Sequence, residues 1–299
     1  SGQVDWMPEG QPREMITTVL DGLRELSPAG SEISYAQGAR ILEEGPNPDG
    51  EFFPDGQPRP LAALPVSPDD ALISEAVAAA ENSDVVVAVV GDRIELVGET
   101  KSTATLDLFG DQIALLEALA ATGKPMIVVL VASKPHVLPK SVQEAAAILW
   151  AGNPGMVGGQ AIAEILLGKI EPSGRLPISF AVHVGQQPTY YNQIKGQHGT
   201  RYADLTQQPA FAFGQGLSYT TVEYSNLEVL TPELSSAGVT PAGYAVNTTE
   251  EQYQEIAAGN VPADHLHARV TLRNTGSRPV VETVQAYLRD VVFSVTWAN

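Results

Sequence analysis

The sequence predicts an α/β protein: a three-layer sandwich with a mostly parallel sheet, followed by a partial all-β sandwich. Three observations predict it. The runs VVVAVV (85–90), MIVVLVA (126–132) and AAAILWA (145–151) are apolar throughout, as parallel strands covered on both faces must be. Segments of helical spacing alternate with them, the order of β-α units. Toward the end of the chain the spacing changes to strict alternation, the period of strands with one face in water.

Each element has its own signal. Between Arg13 and Glu25, Met15, Ile16, Val19, Leu20 and Leu23 recur at helical spacing, predicting an amphipathic helix. Ile33–Ala36 reads as a short strand, and residues 45–70, rich in proline and glycine, read as a surface loop. Residues 69–82 are helical in pattern and feed the first apolar run. Asp111–Ala121 is the second helix, stopped by Gly123-Lys124-Pro125, and MIVVLVA follows. After the third run comes the loop GNPGMVGG (152–159), then a helix closed by Gly168. Residues 174–180 read as a further strand and 181–216 as irregular. Glu223–Leu230 alternates, and 265–273 places Leu266, Ala268, Val270 and Leu272 on one face. The turn Asn274-Thr-Gly-Ser predicts a hairpin between 266–273 and 280–289. A complete sandwich of this type takes about seven strands, so the chain is expected to stop inside that domain.

Length and charge narrow the function. At roughly 150 residues per domain, 299 residues imply about two domains. With 17 basic and 35 acidic residues the formal charge is −18, a field that repels a phosphate backbone and excludes nucleic acid as a partner. No apolar run approaches the roughly 20 residues of a membrane helix, so a soluble chain without a membrane partner is expected, cytoplasmic or secreted. Cysteine is absent, which removes disulfides and thiolate chemistry.

Several constellations are candidate sites. GNPGMVGG lies between strand and helix, where amides can hold a phosphate, but it lacks the dinucleotide and P-loop signatures; tight backbone packing is the better reading. His265 and His267 share a strand face without a third ligand, so no metal is expected. His136, His183 and His198 lie in or near loops without a G-x-S-x-G elbow, and a serine-hydrolase triad has no support. The loop after the first apolar strand carries Asp92, Glu95 and Glu99. It leaves the carboxyl end of a parallel strand, where open α/β sheets bind ligands. A carboxyl there can act as a general acid.

A series of motifs then carries a resemblance. SDVVVAVVG (83–91), Glu99 spaced before Leu106 and Leu108, GKPMIVVLVASKP (123–135) and ILWAGNPGMVGGQAIAEILLGKIEPSGRLPISF (148–180) follow one another, then VGQQPTYYN (184–192) and FAFGQGLSYTTVEYS (211–225). This string resembles the second domain of glycoside hydrolase family 3, the β-glucosidase and β-xylosidase family. The upstream GQVDWMPEG and ISYAQG fit the start of that domain, and the alternating C-terminal region resembles the fibronectin-III-like domain that commonly follows. The resemblance implies residues 1–222 as the α/β domain and 223–299 as a partial fibronectin-III-like sandwich.

It also implies a function: the C-terminal part of a retaining β-glycosidase, without cofactor, acting on a β-linked glucoside or oligosaccharide. In that family an Asp nucleophile sits on a preceding N-terminal barrel, which would be the partner of this domain, and no eight-fold β/α pattern occurs here. The resemblance places the acid/base on Glu99, in E-T-K-S-T-A-T-L-D-L, where Thr100, Ser102 and Thr103 replace the family's Gly, Asp and Arg; Glu95 is the second candidate. Trp6 is either a sugar platform or a packing residue. The chain alone would then be inactive. The competing readings are a non-catalytic carbohydrate-binding or scaffold module and a small-ligand or nucleotide domain on the same α/β plan.

Overall fold

The computed structural model describes residues 13–64, 66–98, 103–192, 202–230 and 267–288. Trp6, Glu99, His198 and His265 lie outside them. The chain forms two compact units: one runs to Leu217 and takes up the chain again at Thr283, the other is Ser218–Glu282.

In the first unit, α1 (Val19–Leu26) starts later than the apolar spacing predicts. Thr18 Oγ1 accepts from the Asp21 amide at 3.1 Å while the Asp21 carboxylate accepts from the Thr18 amide at 3.0 Å. This capping box satisfies two otherwise orphaned donors and fixes the helix start. Arg13–Met15 is only a 3-10 turn. The Ile33–Ala36 strand does not form. A short antiparallel pair forms at the predicted loop, β1 (Glu43–Gly45) at its start with β2 (Ala62–Leu64) inside it, in a stretch that shows no alternation.

The β-α succession follows. α2 (Asp70–Glu81), capped by Asp69 on the Leu72 amide at 3.3 Å, precedes β3 (Val86–Gly91). Then come α3 (Gln112–Ala121), β4 (Met126–Val131), the short α4 (Lys140–Gln143), β5 (Ala147–Trp150) and α5 (Gly158–Leu166). The sheet order is β3-β4-β5, parallel throughout, with Val86 opposite Met126 and Ile127 opposite Ala147. Side chains alternate across it. Ala88, Val90, Val128 and Leu130 pack with Ala76 and Ala80 of α2 and Leu115, Leu116 and Leu119 of α3. Val129 turns to the other face, against Val19 of α1 and Ile162 of α5. Helices therefore cover both faces, and Val128, Val129 and Leu130 are fully buried. Each such side chain contributes about 1.5–3 kcal/mol of hydrophobic stabilisation.

Two glycines set close approaches. Gly159 of α5 meets the backbone before α1, where an added Cβ would lie 2.2 Å from the Thr18 carbonyl carbon, so the last glycine of GNPGMVGG serves backbone packing. Gly91 ends β3 with φ 149°, and a Cβ there would lie 1.8 Å from the Val131 carbonyl oxygen. Gly91→Ala is expected to cost about 1–3 kcal/mol through overpacking. Urea unfolding reads this as a lower midpoint at unchanged slope, and an unshifted midpoint would contradict the close β3–β4 approach.

The expected strand at 174–180 reduces to one antiparallel bridge, Phe180 to Phe211. A larger difference lies in the second unit. β7 (His267–Asn274) pairs with β6 (Val222–Leu230), antiparallel from Val222–Asn274 to Leu230–His267. Its predicted partner forms no strand over residues 280–288. From Thr283 onward that segment belongs to the first unit, where Thr283 Oγ1 donates to the Ser173 carbonyl at 2.9 Å and Gln285 Nε2 to that of Gly214 at 2.8 Å. No helix among the described residues is long and apolar enough to cross a membrane.

Candidate active site

The loops after β3 and β4 leave the carboxyl edge of the sheet side by side, because the two strands run in parallel register to Gly91 and Val131. Gln112 secures the last residue of β3 by accepting from the Gly91 amide at 2.7 Å and donating to its carbonyl at 3.0 Å. Asp92 extends the ladder, its amide donating to the Val131 carbonyl at 3.0 Å.

The segment Ser133–Val137 then holds the β3 loop at successive points. The Ser133 amide and hydroxyl each lie 3.3 Å from Asp92 Oδ2. Lys134 Nζ donates to Thr103 Oγ1 at 2.7 Å and to the Leu96 carbonyl at 3.4 Å. His136 reaches both ends of the loop, with Nε2 2.8 Å from Asp92 Oδ1 and Nδ1 2.8 Å from the Leu106 carbonyl. The Val137 amide donates to the same carbonyl at 2.9 Å. Carbonyls only accept, so Nδ1 carries a proton, and Nε2 faces the Asp92 carboxylate.

The pair is deeply buried, with 2% of the His136 and 6% of the Asp92 side chain exposed. Burial pushes the Asp92 carboxyl up. The His136 hydrogen bond, the charges of His136 and Lys134 and the Ser133 amide outweigh it and hold the carboxyl below its ordinary 3.8. Asp92 is thus a fixed anion, suited to anchoring rather than to proton delivery.

Glu95 sits in the 3-10 turn Ile94–Leu96. Arg93 engages both its oxygens, Nε to Oε2 at 3.0 Å and Nη2 to Oε1. Among the described residues no three His, Asp or Glu side chains gather as a metal site.

Sequence reasoning placed Asp92, Glu95 and Glu99 on this loop, set His136 aside as a loop histidine and passed over Lys134. The available signal was S-K-P-H directly beyond the carboxyl end of a buried strand, facing another strand's acidic loop.

Residues 1–219 match the glycosyl hydrolase family 3 C-terminal domain. The chain belongs to glycoside hydrolase family 3. The periplasmic β-glucosidase of Salmonella typhimurium is 34% identical over 97% of this chain and 35% of its own length. A β-xylosidase of Formosa agariphila is 34% identical over 93% of this chain and 32% of its own. Among solved structures, a β-glucosidase involved in saponin metabolism from intestinal bacteria superposes with a TM-score of 0.70 at 57% identity, covering 81% of this chain and 33% of that one. The chain thus spans about a third of the length of these relatives.

Proposed function

We propose that this chain is the C-terminal part of a retaining β-glycosidase of the β-glucosidase type, hydrolysing terminal non-reducing β-D-glycosyl residues. Glu99 is its acid/base and the nucleophile is an Asp on an N-terminal barrel. The β6–β7 pair is the start of a fibronectin-III-like sandwich. The observation that carries the reading is the loop leaving β3 at the carboxyl edge of the parallel sheet, braced from the β4 loop, in a chain matching the family's C-terminal domain. Glu99 is preferred to Glu95 on chemical grounds. A general acid must present a proton to the glycosidic oxygen, whereas Glu95 has both oxygens engaged by Arg93 and would have to leave that fork first. Trp6 offers an aromatic face that matches the apolar face of a pyranose.

Retaining chemistry needs two carboxyl groups about 5–5.5 Å apart, and this reading puts one of them on the barrel. The 299-residue chain is therefore expected to turn over no aryl β-glucoside, whereas the full-length protein does. Assays of highly purified chain with nitrophenyl glycosides test this. Turnover that disappears in Glu99→Gln would show that both carboxyls lie within these residues and would overturn the barrel nucleophile.

A further inference from the structure

We propose that Lys134 is a positioning residue for the acid/base loop, tying together Leu96 and Thr103, which lie on either side of Glu99 in the chain. The proposal rests on the Glu99 reading. Seven residue steps separate Leu96 from Thr103, a length that could span about 20 Å or more when extended. Both nevertheless meet one ammonium, at 3.4 and 2.7 Å. The Thr103 hydroxyl is oriented for this role: it donates to the Thr105 carbonyl at 2.9 Å, which leaves its lone pairs to accept from Lys134.

The lysine itself is held firmly. Pro135 restricts the backbone beside it, the His136 amide donates back to the Lys134 carbonyl at 3.0 Å, and the His136 ring is locked between Asp92 and Leu106. The bland alternative is a solvated surface lysine. Lys134 is instead half-buried, and its hydrogen bonds among the described residues go to the two sides of one loop.

Proton transfer to a glycosidic oxygen works over hydrogen-bond reach, about 2.6–3.2 Å, and a misplacement of about 1 Å can cost on the order of 100-fold. In the full-length enzyme, Lys134→Met is therefore expected to lower kcat on alkyl β-glucosides by about 10- to 100-fold and on activated aryl glucosides by less than about 3-fold. Its thermal midpoint should stay near the parent's. Thr103→Val should show the same split, with Thr103→Ser recovering part of the loss. Because both substitutions break one contact, the Lys134→Met/Thr103→Val double variant should be no worse than Lys134→Met alone. Equal losses on both substrate types, or losses that multiply in the double variant, would overturn the positioning role if Glu99→Gln still shows the leaving-group split. A Glu99→Gln variant without that split would overturn the Glu99 reading and this proposal with it.

Discussion

Glu99→Gln in the full-length enzyme is expected to slow β-glucosides with poor leaving groups by about 100- to 10,000-fold, the usual worth of general acid catalysis. Activated aryl glucosides should be affected far less in the glycosylation step. The difference arises at the leaving oxygen: an alkoxide departs only if protonated as the bond breaks, whereas a nitrophenolate departs unaided. Glu99→Ala adds a second readout. The glycosyl-enzyme normally awaits water activated by the same carboxylate, and azide attacks without base assistance, so added azide should restore turnover in this variant and yield glycosyl azide. Equal losses on both substrate types without azide rescue would remove Glu99 from the role. The full pattern in Glu95→Ala, beside a near-parental Glu99→Ala, would place the acid/base four residues earlier.

The parallel sheet was legible because its strands are apolar on both faces, a pattern that little else demands. Val128, Val129 and Leu130 occupy the central strand and are buried on either side, so their neighbours in sequence reveal their environment. The second unit was less legible for a physical reason: alternation in β7 tells which side chains share a face but not which strand lies alongside. The turn Asn274-Thr-Gly-Ser pointed to 280–289 as the partner, whereas the strand alongside is β6. The observed pairing tolerates an irregularity between Ser225 and Glu228, with Asn226 at φ 52°, a bulge that breaks the two-residue period from which strand patterns are read.

The site divides in the same way. A loop beyond a parallel strand marks a place, and Asp92, Glu95 and Glu99 could be found there from sequence. His136 could not be assigned, because its two partners lie 30 and 44 residues away at Leu106 and Asp92. Only the register of β3 against β4 brings them together. An isolated loop histidine and the centre of a buried network look identical until that register is known.

That network yields the largest expected effect on stability. Asp92→Ala leaves the buried His136 Nε2 without its partner, and a hydrogen bond to a charged group is typically worth about 1.5–3 kcal/mol. Urea unfolding at pH 7 should show a loss of this size. The pH dependence follows from the direction of the Asp92 shift. Its carboxyl is held below 3.8 in the folded chain, so the ionised form binds more favourably in the folded than in the unfolded state. This stabilisation is fully present above the unfolded value and is lost as the pH falls through the folded one. The gap between parent and Asp92→Ala should therefore close progressively below about pH 4. The other acidic residues titrate in the same range in both proteins and cancel in the difference. A gap that stays constant down to pH 3, or that is absent at pH 7, would show that the Asp92 anion does not anchor His136.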